Sequence, residues 1–243
     1  MAKTVIAFDL YGTLLSTASI AQELSKVYGD EKAKVLATQA RTYQLEYTWR
    51  INSMKTYHTF SDVTRWSFRH AAAEQGIKMT PEVEDRVMEA YNGLDTFPDA
   101  DAGLTLLADS PSVDPFIFSN GTKSMLTSSM STSPALSKAS RLLPTAKVIS
   151  VEPLKVFKPD PAVYQHLVKV AGKENDPGSV WLVSSNPFDA CGAVTAGLKS
   201  VWVDRTGLGW VDGLANGTGD NPTLVAQGVD EAVREIMKRS GSN

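Results

Sequence analysis

Five short runs of apolar and β-branched residues constrain the fold of this chain more than any other feature. The runs cover residues 4–10, 115–119, 147–151, 179–184 and 199–204. None alternates between apolar and polar positions, a pattern typical of strands that are buried on both faces of a parallel sheet. Polar clusters, glycine or proline bound each run. The sequence therefore predicts a parallel sheet.

Helical patterns separate the later runs. Asp160 and Pro161 supply an N-cap and a first helical residue, and Gly172 can end that helix. Two further helical patterns cover residues 188–196 and 230–239. Because strand and helix alternate, we expect a doubly wound, Rossmann-like α/β core.

The alternation breaks between the first and second runs, where the chain carries only helical patterns. These patterns cover residues 31–52, 60–75 and 80–94. We therefore expect a helical cap subdomain, residues 15–97, inserted into a core domain formed by residues 1–14 and 98–243. The cap would lie over the mouth of the sheet.

The composition excludes several classes of function. The 243 residues carry a net charge of −3, which suggests no surface for nucleic acid or for an anionic membrane. Cys191 is the only cysteine, so neither a disulfide framework nor a cysteine metal cage is expected. The first strand begins too early for a signal peptide or a membrane span, and a cytoplasmic location is expected.

Polar residues follow four of the expected elements near the edge where open parallel sheets bind ligands. These loops cover residues 9–13, 119–121, 158–160 and 184–189. Asp9 follows an apolar strand whose end is expected to be nearly free of water, so its charge needs a cation or hydrogen-bond donors. Lys158 can supply the cation, and breaking such a buried pair typically costs about 3–5 kcal/mol. The alternative for Asp9 is a structural cap or turn former, but an Asp that ends a strand, with Thr13 four residues later, is a poor cap signature. The alternative for Lys158 is a surface lysine, which the presence of Asp9 makes weaker.

These loops resemble the four signature motifs of the haloacid dehalogenase superfamily, and in detail they resemble its 2-haloacid dehalogenases. Phosphatases of the superfamily usually carry a second Asp two residues after the nucleophile and an acidic pair in the fourth loop that helps to bind magnesium. Here those positions hold Tyr11 and, for the first acid, Ser185. A general acid for an alkoxide and a ligand for a hard cation are therefore missing. We expect no metal and no cofactor.

The resemblance implies that Asp9 attacks C2 of a short-chain (S)-2-haloacid, expels halide and forms an ester on the enzyme. Water then hydrolyses the ester, and a 2-hydroxy acid of inverted configuration leaves. The segment that begins at Arg41 resembles the cap helix that carries the halide-binding arginine, so Arg41, Asn120 and Phe188 are expected to surround the halide. From the residues alone, Arg41 would be interpreted as an exposed helical arginine paired with Glu46 or another neighbour.

The resemblance also assigns roles to the side chains around Asp9. The group expected to bind the substrate carboxylate comprises Ser119 and backbone amides near Leu10, Tyr11 and Asn120. The group expected to position or activate water comprises Ser184, Asn186 and Asp189. Thr13 is expected to orient Asp9, and Tyr164 is expected to stabilise the Lys158 loop. Candidates for the wall around the substrate alkyl group are Tyr11, Leu45, Phe60 and Phe188, although core packing is an equal alternative for Leu45 and Phe60.

Two other functions stay open at this point. A magnesium-dependent phosphatase of the same superfamily is weakened by Tyr11 and Ser185, and a non-catalytic relative would bind a small anion without turnover. Pro187 and the Ser- and Thr-rich stretch 122–140 depart from the family pattern. Because of these departures, the resemblance does not define the access route to the pocket or the size of the substrate. We expect that stretch to be an irregular surface helix and loop. The resemblance also suggests a homodimer.

Overall fold

The computed structural model describes residues 3–108 and 110–241, and it contains a six-stranded parallel sheet. The strands are β1 (Thr4–Phe8), β2 (Val113–Ser119), β3 (Val148–Ser150), β4 (Val180–Ser184), β5 (Lys199–Val203) and β6 (Leu224–Ala226). Their order in the sheet is β3-β2-β1-β4-β5-β6. All neighbouring pairs are parallel. The expected doubly wound α/β core is confirmed.

β1 lies in the interior of the sheet, between β2 and β4. Its residue Phe8 pairs with Ile117 of β2 and with Val183 of β4. The residues that follow these three positions therefore emerge at the same carboxyl edge. The strand order reverses at β1, and open α/β sheets bind ligands at such switch points. Asp9 is the first residue beyond β1 and so stands at this point.

Helices surround the sheet and form the insertion. They are α1 (Ile20–Tyr28), α2 (Asp30–Met54), α3 (Phe60–Glu74), α4 (Pro81–Asn92), α5 (Pro98–Ala108), α6 (Lys123–Thr132), α7 (Pro134–Lys138), α8 (Pro161–Val170), α9 (Pro187–Thr195), α10 (Gly213–Thr218) and α11 (Val229–Arg239). α8 begins as predicted, since Asp160 Oδ1 accepts from the Ala162 N–H at 2.9 Å. Within the described ranges, no helix combines the length and apolar character needed to cross a membrane.

The inserted cap comprises α1 to α4, which pack on one another. Two chain crossings join it to the core, and the crossings pair with each other. The Ser16 N–H donates to Asp95 O at 2.7 Å, and the Phe97 N–H donates to Leu14 O at 3.0 Å. The division of the chain at residues 15–97 stays a prediction, which these paired crossings support.

The structure differs from the sequence predictions in two respects. β6, α1, α5 and α10 have no counterpart among the predicted elements, and β6 is only three residues long. The stretch 122–140 was predicted as an irregular surface helix and loop; it lies at the surface, but most of it forms the helices α6 and α7, so the predicted loop was wrong. Thr122 caps α6 by accepting from the Met125 N–H at 3.2 Å. Leu126 and Leu136 are buried, and this packing stabilises helices that the Ser- and Thr-rich sequence alone does not favour.

The contact between α5 and α11 generates a stability prediction. A Cβ added to Gly103 in α5 would lie 2.8 Å from Val229 Cγ1 and 3.1 Å from the Asp230 backbone nitrogen. Gly103→Ala is therefore expected to lower the free energy of unfolding by about 1–3 kcal/mol through overpacking. The gain in helix propensity of about 1 kcal/mol offsets part of this loss, so the expected net decrease is about 1 kcal/mol. Urea unfolding measures the difference.

Gly217 in α10 provides the matched control, because an added Cβ there meets no atom within 4 Å. Gly217→Ala is expected to leave the unfolding midpoint unchanged or to raise it slightly. A Gly103→Ala variant as stable as the wild type would show that α5 and α11 do not pack as closely as described.

Candidate active site

Asp9 accepts hydrogen bonds on both carboxylate oxygens, although it is only 6% exposed. Lys158 Nζ donates to Oδ1 at 3.1 Å. Thr13 Oγ1 and Asn186 Nδ2 donate to Oδ2 at 2.9 and 2.7 Å. Donors and a cation of this kind offset the cost of removing a carboxylate from water. They also fix the plane in which the Asp9 oxygens lie.

Lys158 uses all three ammonium donors. Besides Asp9, it donates to Asp189 Oδ2 and to Phe118 O, each at 2.8 Å. It is only 1% exposed, and its Nζ lies 4.2 Å from the centroid of the Phe118 ring. One buried ammonium therefore joins two carboxylates to the end of β2.

Asp189 is completely buried in the first turn of α9. Its Oδ1 accepts from the hydroxyl of Tyr164 at 2.8 Å, while its Oδ2 accepts from Lys158. Burial raises the pKa of Asp189 above its ordinary value, and the Lys158 ammonium and the Tyr164 hydroxyl oppose that effect. Asp189 is thus a carboxylate of increased basicity next to the Asp9 site.

Arg41 reaches from α2 of the cap to the core. Its Nη2 donates to Tyr11 O and to Asn186 Oδ1, each at 3.1 Å. The amide of Asn186 therefore accepts from Arg41 and donates to Asp9, which connects the cap guanidinium to the carboxylate at the end of β1. The alternative pairing with Glu46 does not occur, because Glu46 pairs with Arg50.

Gln44, one helical turn after Arg41, holds the arginine from the cap side. Its Oε1 accepts from Arg41 Nη1 at 2.7 Å and from the Tyr91 hydroxyl at 3.1 Å. Its Nε2 donates to Thr64 Oγ1 at 2.7 Å. Gln44 is only 1% exposed. The orientation of Arg41 is therefore fixed by a buried amide that forms three hydrogen bonds of its own.

The last residues of β2 and β4 close the turns that follow these strands. Ser119 Oγ accepts from the Gly121 N–H at 3.1 Å, and Ser184 Oγ accepts from the Asn186 N–H at 3.2 Å. Asn120 Oδ1 accepts from the Lys158 N–H at 2.9 Å. Both serine oxygens act as acceptors in these contacts, so their hydroxyl protons can still be donated to another group.

The four expected wall residues have different surroundings. Tyr11 is buried, and its ring centroid lies 5.9 Å from that of Phe60. Phe188 contacts Trp49 of α2 edge to face, with 5.4 Å between the centroids. Leu45 is half-buried on α2. Both sides of the contact between cap and core thus contribute aromatic surface.

The donor set at this edge does not fit a hard divalent cation. Among the described residues, no three His, Cys, Asp or Glu side chains form a cluster that could hold a metal ion. Asp9 and Asp189 already share the Lys158 ammonium, and Ser185 Oγ donates to Gly12 O. Magnesium would have to compete with Lys158 for both carboxylates.

The structure brings together the residues predicted from the ends of different strands. Three further residues support this site and were not predicted from the sequence. Gln44 contacts Arg41, Tyr91 contacts Gln44, and Arg205 contacts the loop after β1. The sequence could have indicated Gln44, since a residue three positions after Arg41 lies on the same face of the helix. It could also have indicated Arg205, because this residue lies just past the fifth predicted run, at the same edge of the sheet.

Comparisons with known proteins agree with this arrangement. A model of the haloacid dehalogenase-like hydrolase family matches residues 3–197. An (S)-2-haloacid dehalogenase from Pseudomonas fluorescens is 35% identical over 204 residues, which are 82% of this chain and 83% of that protein. (S)-2-haloacid dehalogenase 4A from Burkholderia cepacia is 33% identical over 200 residues, 82% of each chain.

Solved structures resemble the whole chain, cap included. The L-2-haloacid dehalogenase from Xanthobacter autotrophicus with chloropropionic acid covalently bound superposes with a TM-score of 0.81 at 27% sequence identity. The superposition covers 98% of each chain. A dehalogenase in an intermediate complex superposes with a TM-score of 0.84 at 29% identity, covering 96% of this chain and 97% of the other.

The contact between Tyr164 and Asp189 leads to a pH prediction. Tyr164→Phe removes a donor that lowers the pKa of Asp189, so the pKa of Asp189 is expected to rise further. As the pH falls, Asp189 should then take up its proton at a higher pH than in the wild type. The carboxyl carbon chemical shift of Asp189, followed by NMR titration, measures this.

Tyr43→Phe is the control, since the Tyr43 hydroxyl donates to Glu74 at the surface of the cap. It should leave the titration of Asp189 unchanged. An unchanged titration in Tyr164→Phe as well would contradict the hydrogen bond between the phenol and Asp189.

Proposed function

Because this chain belongs to the haloacid dehalogenase-like hydrolase family, we propose that it hydrolyses short-chain (S)-2-haloacids to 2-hydroxy acids with inversion at C2. One observation carries the proposal: Arg41 of the cap donates to Asn186, whose amide donates to Asp9. A fixed cation thus lies beside a carboxylate nucleophile, where a departing halide needs positive charge. The (S)-2-haloacid dehalogenase relatives support the same assignment.

The substrate carboxylate is bound at residues 9–13, the nucleophile loop, and at the adjacent end of β2. The backbone N–H groups of Leu10, Tyr11 and Asn120 donate to no acceptor within residues 3–108 and 110–241. These groups, together with the Ser119 hydroxyl, provide several donors for one anion at the end of adjacent strands. Fixed dipoles of this kind hold the haloacid with C2 facing Asp9.

In the first step, a carboxylate oxygen of Asp9 attacks C2 and the carbon–halogen bond breaks. The bonding electrons leave with the halide, which is received by Arg41, Asn120 and Phe188. The product of this step is an ester between Asp9 and the C2 carbon. Thr13 and Lys158 hold the carboxylate in the plane required for the attack.

In the second step, water attacks the carbonyl carbon of the Asp9 ester. Asp189 accepts the proton, and its raised pKa makes it a better base than an ordinary aspartate. Asn186 and Ser184 position the water. The bond between the Asp9 carbonyl carbon and the C2 oxygen then breaks, and that oxygen takes the proton from Asp189 and leaves as the 2-hydroxy acid. The new Asp9 carboxyl group releases the second proton of the water to the solvent, which regenerates the Asp9 carboxylate.

Tyr11 favours attack at carbon over attack at phosphorus. It stands where phosphatases of this family carry an acid, two residues after Asp9. Burial raises the pKa of Tyr11 far above its ordinary value, so its phenol is a poor proton donor for an alkoxide. A halide leaves as a stable anion and needs no such donor.

Chloride release from (S)-2-chloropropionate without added metal is the direct test, and chelator should not reduce it. In a single turnover in ¹⁸O-labelled water, the label should enter the Asp9 carboxylate, because water attacks its carbonyl carbon. Asp9→Asn should lower kcat at least about 1,000-fold, since it removes the nucleophile. Ion chromatography and peptide mass spectrometry provide the measurements.

Asp176→Asn changes an exposed aspartate and serves as the control, with unchanged turnover expected. Activity only on a phosphate ester, and only with magnesium, would instead identify a phosphatase. Binding of haloacids without any label in Asp9 would identify a non-catalytic relative.

Gln44 generates a second prediction, because it fixes Arg41. Gln44→Met removes the acceptor for Arg41 Nη1 and leaves the halide site less ordered. We expect kcat to fall about tenfold with chloride as the leaving group and less with bromide, which needs less stabilisation. Steady-state kinetics on the chloro and bromo acids measure both effects.

Gln22→Met, at an exposed position of α1, is the matched substitution and should change neither rate. Equal losses of kcat on the two substrates in Gln44→Met would indicate that Gln44 acts elsewhere than at the halide.

A further inference from the structure

Arg205 lies just past β5 and contacts three segments that the sheet brings together. Its guanidinium donates from Nη2 to Thr13 O at 2.7 Å and from Nη1 to Gly12 O at 3.3 Å. It also forms a bidentate pair with Asp99, from Nε to Oδ1 at 3.0 Å and from Nη2 to Oδ2 at 2.8 Å. A weaker contact joins Nη1 to Ser185 Oγ at 3.5 Å.

These contacts use all five N–H groups of the guanidinium. Arg205 therefore has no donor left for a substrate, and it acts on the reaction only through the groups that it holds. Its carbon Cζ also lies 3.7 Å from the centroid of the Phe97 ring, which supports the flat face of the guanidinium.

Asp99, the carboxylate partner of Arg205, is itself held in place by the backbone. It stands in the first turn of α5, where the chain has just returned from the cap. Its Oδ2 also accepts from the Val229 N–H at the start of α11, at 2.8 Å. Burial alone would raise the pKa of Asp99, but Arg205 and the Val229 N–H together hold that pKa below its ordinary value. Asp99 is thus an ionised anchor between two packed helices.

We propose that Arg205, anchored by Asp99, is a positioning residue that holds the nucleophile loop in its reactive conformation. The carbonyl groups of Gly12 and Thr13 belong to the turn that directly follows Asp9. Arg205 fixes those carbonyls, and this sets the direction of the Thr13 side chain. The Thr13 hydroxyl then donates to Asp9 Oδ2. Arg205 therefore orients Asp9 without contacting it.

The same contact connects the nucleophile loop to the return crossing of the cap. Phe97 lies under the guanidinium, and its N–H donates to Leu14 O. Asp99 follows two residues later. Arg205 consequently ties the loop that carries Asp9 to the segment through which the cap rejoins the core. A lysine cannot replace it, because one ammonium cannot bond both Asp99 oxygens and two carbonyls in one plane.

The variant Arg205→Lys tests this role, which rests on the proposed function for its kinetic part. We expect kcat for (S)-2-chloropropionate to fall about tenfold or more, because a small displacement of the nucleophile is enough to slow attack. KM should change less than about twofold, since Arg205 does not contact the substrate. The rate of Asp9 ester formation in rapid-quench mass spectrometry should fall by the same factor as kcat.

A second measurement does not depend on any activity. Amide hydrogen exchange of residues 12–15, followed by NMR, should become about tenfold faster in Arg205→Lys while exchange in α8 and α9 stays unchanged. Asp99→Asn, which keeps the shape of the anchor, should produce smaller changes in the same direction. If Arg205→Lys does not fold, the exchange rates of residues 12–15 in Asp99→Asn test the positioning role of Arg205.

Arg69→Lys is the matched control, since Arg69 also forms a bidentate pair, with Glu84, but within the cap. It should leave the kinetics and the exchange of residues 12–15 unaltered. An unchanged kcat and unchanged exchange in Arg205→Lys would overturn the proposal, as would a loss confined to thermal stability. If the wild type releases no halide, the proposed function fails, and the exchange rates alone then decide the role of Arg205.

Discussion

The buried ammonium of Lys158 is the interaction on which the rest of the site depends. It donates to Asp9, to Asp189 and to a carbonyl of β2. An ammonium removed so completely from water is costly unless every donor finds a partner in good geometry. Both carboxylates and the end of β2 must therefore be in place together. The pairing also explains why Asp189 is buried in α9, with the Tyr164 hydroxyl on its remaining oxygen.

The cap supplies the second positive charge of the site. Two carboxylates around one ammonium carry an excess negative charge, and Arg41 brings the second cation from α2. The amide of Asn186 lies between Arg41 and Asp9 and orients both. The contact of Asn52 in α2 with the backbone of Phe157, at 2.7 and 3.0 Å, holds the same helix against the core. The site is thus complete only when cap and core are in contact.

The parts that the sequence predicts are those in which local pattern determines position. Apolar runs identify the strands, and parallel pairing then places Asp9, Ser119 and Ser184 at one edge. The parts that it does not predict depend on packing between distant segments. Gln44 is an ordinary helical residue until α3 and α4 surround it, and Arg205 is an ordinary loop residue until Asp99 lies opposite. Likewise, α6 and α7 form because their apolar residues are buried, which composition alone does not reveal.

The charges of the site favour a monoanionic substrate under the proposed chemistry. Asp9 and Asp189 balance Lys158 and Arg41, so the free site is neutral, and a bound haloacid brings its charge to minus one. Attack by Asp9 moves charge from the carboxylate to the halide without changing this sum. When the halide leaves, the ester state is neutral again, so its departure relieves an excess of negative charge. A phosphate dianion would add two charges to the same site, and the Lys158 ammonium occupies the carboxylates that a compensating metal ion would need.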